Sequence, residues 1–202
     1  VGEYVLSSLQ KLKLTVDLTN PKRTLQLEIR DKKAYLFTDV IKGTGGLPLG
    51  TQPKLVCLLK NDVRSAVACW MTMKRGCPPI LSHVNNSTAS HREVEDVKQA
   101  ARHLMMWSIG FPTRLRIARC EFKPMKLVEG YPSQIASIIE KRLMLRVAQR
   151  IAEMTGSEGI VTGDSLGRNA AHYASLFRVQ DEAVKGLPVY RPLLGLDHQE
   201  IA

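Results

Sequence analysis

The chain has 202 residues, with 29 Lys and Arg against 19 Asp and Glu, and a formal net charge of +10. Hydrophobic residues make up 44%, which excludes general disorder and allows a sizeable core in one or two domains. The basic excess favours an anionic partner, most commonly nucleic acid; its plain alternative is a basic but otherwise ordinary soluble protein.

In chain order, Val1–Leu14 reads as a short amphipathic helix. Leu14–Leu18, Thr24–Ile29 and Ala34–Phe37 alternate apolar and polar residues and read as strands. Asn20-Pro21 and Asp31-Lys32 supply the turns. This unit, residues 1–42, carries Lys11, Lys13, Lys22, Arg23, Arg30, Lys32, Lys33 and Lys42 against Glu3, Asp17, Glu28, Asp31 and Asp39. Such a surplus is either an RNA-facing patch or a solvated rim. Residues 43–53 are dense in Gly and Pro and read as a connector. No helix pattern follows those glycines, as a phosphate loop would require.

After the connector, strands and helices alternate. Strands are expected at Lys54–Leu59, Ile80–Val84, Arg114–Ala118, Gly159–Thr162 and Leu187–Arg191. Helices are expected at Ala66–Lys74, Ser90–Trp107, Ser133–Met154 and Arg168–Gln180. This order implies an α/β domain over 54–202, a parallel sheet with helices on both faces. Ligands on such sheets bind beyond the carboxyl ends of the strands. The loops there are Lys60–Ser65, Asn85–Ser90 and Gly163–Gly167.

Cys57, Cys69, Cys77 and Cys120 form no C-x-x-C pair, so zinc or an iron–sulfur cluster is poorly supported, and no metal ligand is assigned. Cys57 and Cys69 read as core residues. Nothing resembles a signal peptide or a membrane span, and a cytoplasmic setting is the default. The chain opens on Val1 with a helix in progress. It closes where Asp197-His198-Gln199-Glu200 reads as a helix beginning, so a piece of a longer protein is expected.

The loop Lys60-Asn61-Asp62-Val63-Arg64-Ser65 lies between a buried strand and a helix. Free N–H groups and the helix dipole converge there, which is the setting of a phosphate loop. It lacks the glycines that let phosphate approach bare backbone.

At this point the chain resembles a family. The segments IKGTGGLPLG…LLKNDVRSAVACWMTMKRG (41–76), EKRLMLRVAQRIAE (140–153), VTGDSLG (161–167) and GLPVYRPLLGLDHQEI (186–201) look like blocks of the tRNA thiouridine synthetases, the ThiI family, in order and spacing. VDLTNPKRTLQLEIRDKKAYLF (16–37) is similar to the second half of a THUMP RNA-binding domain. The resemblance implies an adenine-nucleotide α-hydrolase fold, Rossmann-like, with a pyrophosphatase loop of pattern SGGxDS. In the family, ATP with magnesium adenylates a tRNA uridine and sulfur then displaces AMP. It also implies a persulfide sulfur donor protein and a homodimer as partners, with no membrane partner. A role in thiamine thiazole synthesis is a weaker reading. The family's sulfur-relay cysteine and rhodanese domain would lie beyond Ala202.

Carried over residue by residue, the nucleotide positions fall unevenly. The first strand ends at Leu58 and Leu59, and the second, which flanks adenine in the family, at His83 and Val84. Lys60 replaces the loop serine, Asn61 and Asp62 replace its glycines, and Arg64 replaces its aspartate; Ser65 alone matches. The basic residue of the long helix is Lys141, followed by Arg142. The T-G-E-x-L-G-Q block supplies Gly163 and Asp164, its glutamine is Arg168, and a later glutamine is His172. Lys22, Arg23, Lys32 and Lys33 are the expected RNA contacts. No catalytic residue is assigned.

The departures have physical content. Asp62 adds negative charge beside an anion site. Lys60 and Arg64 can bind phosphate oxygens directly, but Arg64 cannot stand for an aspartate near magnesium. His83 has an alternative as a hydrogen-bonded structural residue, and Asp164 as a helix cap. Two readings follow: a ThiI-like tRNA sulfurtransferase using ATP through a divergent loop, or a ThiI-like RNA- and nucleotide-binding protein that has lost adenylation.

Overall fold

The structure, a computed structural model, describes residues 2–8, 17–86, 90–120, 133–166 and 173–202. It divides into two units, Val1–Thr44 and Gly45–Ala202.

The first unit holds helix α1 (Gly2–Ser8) and an antiparallel hairpin of β1 (Gln26–Arg30) and β2 (Lys33–Phe37). Arg30 pairs with Lys33, so Asp31-Lys32 is the two-residue turn, with Asp31 at φ 50°. A left-handed residue suits the twist of such a hairpin, and Asp tolerates it. The Asp17 carboxylate accepts from the Thr19 and Asn20 N–H groups, both at 2.9 Å, which fixes the turn before Pro21. Leu14–Val16 of the first expected strand, and Leu9–Leu14 of the expected first helix, lie outside the described residues.

The second unit is built on a five-stranded sheet in the order β5-β4-β3-β6-β7, parallel throughout. Its strands are β3 (Leu55–Leu58), β4 (Pro79–Asn86), β5 (Arg116–Cys120), β6 (Ile160–Val161) and β7 (Val189–Tyr190). The helices are α2 (Val63–Met73), α3 (His91–Met106), α4 (Ser133–Thr155), α5 (Tyr173–Asp181) and α6 (His198–Ile201). The fold is therefore the α/β parallel sheet that the alternating pattern implied.

Strand β3 is buried on both faces, which is why it reads as an unbroken apolar run. Leu55, Cys57 and Leu59 pack with Ala68, Cys69 and Met73 of α2 and with Val97, Ala101 and Leu104 of α3. The alternate residues Val56 and Leu58 pack with Met144, Leu145, Ala148 and Ala152 of α4. Cys69 and Met73, Val97, Ala101 and Leu104, and Leu145, Ala148 and Ala152 follow one another at three- or four-residue steps, the spacing of one helical face. The chain enters the sheet at its middle, winds outward through β4 and β5, then crosses to β6 and β7. Strand order thus reverses between β3 and β6, and a crevice opens beyond their carboxyl ends.

The glycine-rich stretch from Gly45 onward is bound to the second unit. Leu47 donates from its N–H to the Lys74 carbonyl at 2.9 Å. Gly46 is at φ +95°, and a Cβ there would lie 2.1 Å from that same carbonyl oxygen. Both backbone conformation and close approach demand glycine here.

Candidate functional site

The crevice at the switch point has a volume of about 220 Å³ and is walled by the loop after β3, the loop after β6, α4 and α5. Its first wall is fixed by capping. Asp62 is the N-cap of α2, in extended conformation, and its carboxylate accepts from the Ser65 N–H at 2.8 Å. The Ser65 hydroxyl accepts from the Lys60 N–H at 3.0 Å and lies 3.2 and 3.1 Å from the Lys60 and Asp62 carbonyls. The loop therefore closes on itself through one buried serine. Arg64 stands 3.7 Å from the Asp62 carboxylate, partly neutralising it.

The facing wall follows β6. A Cβ at Gly163 would lie 2.6 Å from the Ser65 nitrogen and 2.7 Å from its Cα. Only glycine lets the two backbones approach this closely. One residue on, Asp164 is the centre of a network. Its carboxylate accepts from Lys141 Nζ at 2.7 Å, from the Thr162 hydroxyl at 2.8 Å and from Arg191 Nε at 3.2 Å. Arg191 also forks onto Asp181 at 3.0 and 2.5 Å and lies 4.3 Å over the Phe177 ring. Its side chain is 6% exposed, so this cation is held rather than presented.

The charges respond. Burial lowers the Lys141 ammonium, with repulsion from Lys60 and Arg191 adding to it, and Asp164 opposes the shift. Burial works to raise the Asp164 carboxyl, but the combined pull of Lys141, Thr162 and Arg191 leaves it below the ordinary carboxylate value.

The structure brings together Leu58, Lys60, Asp62, Arg64, Ser65, Lys141, Gly163 and Asp164 around this crevice. Other candidates lie elsewhere. Leu59 is fully buried in the α2–α3 core and Val84 in the α4 core. Asn61 faces a groove between α2 and α3. His83 is buried, with Nδ1 2.9 Å from the Leu59 carbonyl and Nε2 without a partner among the described residues. His172 lies outside the described residues. Arg142 donates to the Val179 carbonyl and faces Glu182 at 3.7 Å, tying α4 to α5. Lys22, Arg23, Lys32 and Lys33 are all exposed on the first unit.

Sequence reading missed Arg191, Asp181, Thr162, Phe177 and Gln180. Arg191 carried a usable signal: it was the last residue of an expected strand, at the carboxyl end where sites form. Asp181 carried none, since an acid at a helix end is ordinarily solvated.

A doubly wound parallel sheet with a charged crevice at its switch point defines a Rossmann-like α/β protein. The model of the family described as "Thiamine biosynthesis protein (ThiI)" matches residues 50–202, and that of the THUMP domain matches residues 1–39. The chain belongs to the ThiI family. It is 37% identical to a "Probable tRNA sulfurtransferase" of Caldanaerobacter subterraneus subsp. tengcongensis over 202 residues, 100% of this chain and 52% of that protein. It is 35% identical to a protein of the same name from Methanocaldococcus jannaschii, covering 100% of this chain and 51% of the relative. The chain thus spans about half the length of the curated relatives it matches. Among solved structures, it superposes with TM-score 0.83 and 33% identity on a 4-thiouridine synthetase–RNA complex with bound ATP, over 99% of this chain and 51% of that one. It superposes with TM-score 0.61 and 25% identity on PH1313 from Pyrococcus horikoshii, over 92% of this chain and 50% of that one.

Among the described residues, those at this loop do not fit magnesium triphosphate. The Ser65 N–H that would meet a phosphate is taken by Asp62. The acid across the crevice, Asp164, already accepts from two cations and a hydroxyl. Among the described residues no three His, Cys, Asp or Glu side chains converge as metal ligands. No helix among them is long and apolar enough to cross a membrane.

Proposed function

We propose that this chain serves tRNA sulfur transfer as the RNA-binding and scaffolding part of a ThiI-type protein, in the cytoplasm, and that its own crevice does not adenylate tRNA with ATP. Family membership and the likeness to an RNA-bound 4-thiouridine synthetase support the tRNA partner. The net charge of +10 gives the means of holding it.

One observation carries the second half of the proposal. The Asp62 carboxylate occupies the N–H of Ser65 at the start of α2. An incoming phosphate would meet a fixed negative charge where family members offer glycine backbone. The alternative, adenylation through a divergent loop, requires Asp62 to leave its cap and Lys60 and Arg64 to take over the phosphates.

ATP–pyrophosphate exchange with the full-length protein and tRNA tests the reading, with tRNA filter binding alongside. We expect tRNA to bind and exchange to stay at the level of protein-free controls. Exchange that depends on both protein and tRNA would establish adenylation instead.

A further inference from the structure

On the far side of the same loop, α2 and α3 enclose an open groove of about 600 Å³. Small side chains on both helices, Ala66 and Ala100, leave it open, and the two indoles Trp70 and Trp107 close one end. The rings meet edge to face, with centroids 5.9 Å apart and planes at 77°. Lys74 lies 5.2 Å over the Trp70 ring, so Trp70 is braced. Trp107 is 47% exposed and Val63, at the other end, 61%. Lys60 lines both this groove and the crevice, and it has no ion-pair partner among the described residues.

We propose that this groove seats one unstacked nucleotide of an RNA strand, its base against Trp107 and its phosphate on Lys60. The proposal rests on the RNA reading above and adds a site to it. Single-stranded nucleic acid is held by stacking of its bases and by charge on its backbone. The groove offers Trp107 for the first and Lys60 for the second; of the two carboxylates that also line it, Asp62 is paired with Arg64 at 3.7 Å and Asp96 stands on the wall. Asp96 and His103 on the groove wall offer hydrogen-bonding groups to a base edge. The loop whose backbone no longer offers phosphate a seat on one side would then offer a side-chain cation on the other.

The chain has two tryptophans, and both line this groove, so intrinsic fluorescence reads the site directly. The full chain is titrated with hexauridylate. Saturable quenching is expected, weakened about tenfold in Trp107→Leu, equivalent to about 1.4 kcal/mol. Val63→Glu, an exposed change at the groove rim, should weaken binding comparably while leaving the far-ultraviolet circular dichroism unchanged. Lys60→Gln should lower the slope of log affinity against log salt by about one. Absence of quenching, or hexauridylate binding by both groove variants equal to the parent, overturns the proposal. If tRNA still binds on filters in that case, the RNA reading stands without this site; if tRNA does not bind either, both fail.

Discussion

The Asp62 carboxylate accepts a 2.8 Å hydrogen bond from the Ser65 N–H, so the first turn of α2 is capped by the chain itself. A cap of this kind satisfies one of the orphan donors of a helix start and favours negative charge at the positive end of the dipole. Asp62→Ala should destabilise the second unit by about 1 kcal/mol, and Asp62→Gly by a few tenths, since glycine caps nearly as well. Urea unfolding of both variants checks this. Equal stability of Asp62→Ala and the parent would mean that the carboxylate is not seated on the helix.

Arg191 holds two carboxylates, at 3.2 Å on Asp164 and 2.5 Å on Asp181. Removing a nearly buried cation leaves Asp164 with Lys141 and the Thr162 hydroxyl and takes from Asp181 both bonds of the Arg191 fork, so Arg191→Met should cost about 3 kcal/mol. Asp164 also sets an acid limb. Its carboxyl is held below its ordinary value in the folded state, so the unfolded chain binds the proton more readily. The stability it contributes is therefore present above about pH 4, the ordinary aspartate value, and is lost as pH falls below it through the folded value. Lys141 works in the other sense. Its ammonium is lowered on folding, so stability rises with pH between its folded value and the ordinary lysine value. Unfolding of Asp164→Asn against the parent from pH 2 to 6 checks the acid limb: the difference between them should shrink at the acid end. A difference that stays constant across that range would contradict the network.

Gly163→Ala places a methyl group 2.6 Å from the Ser65 nitrogen, which is backbone and cannot swing aside. The β6 and α2 ends must part, at about 1–3 kcal/mol for an overpacked site. Thermal unfolding should show the loss, and a neutral substitution would mean that the crevice walls are looser than the geometry states.

Much of this frame was legible in the residues. Leu55–Leu59 read as a buried strand, and β3 is one. The helix expected from Ser90 starts there, where the structure shows Ser90 and Glu93 forming a capping box with bonds of 3.2 and 2.8 Å. The start of α2 was placed at Ala66 and lies at Val63, because Asp62 acts as cap rather than as a loop residue. The outer strand was expected at 114–118 and lies at 116–120, because its register is set by β4, where Ser82 pairs with Arg116 and Asn86 with Cys120. Long-range pairing of this kind leaves no local signal. The same holds for Arg191 and Asp181, ten residues apart and joined only once β7 and α5 are packed.

RNA binding should be led by phosphates and so weaken steeply with salt. Lys22, Arg23, Lys32 and Lys33 are exposed around the hairpin of the first unit. Charge reversal at these four positions should weaken tRNA and an unrelated structured RNA of similar length about equally. Filter binding across a salt series decides: a flat salt response, or a tRNA preference that survives the reversals, would place recognition in the second unit.

The most direct measurement of the central claim, that the chain's own carboxylate fills the phosphate seat, is calorimetry of ATP and AMP on the parent and on a variant with Lys60→Ser, Asn61→Gly, Asp62→Gly and Arg64→Asp. The parent should bind the two nucleotides with affinities within tenfold of each other, a gap under about 1.4 kcal/mol, since phosphates beyond the first add no contact. The variant should bind ATP at least tenfold more tightly than AMP. A parent that already prefers ATP tenfold, or a folded variant that gains no preference, would contradict the account.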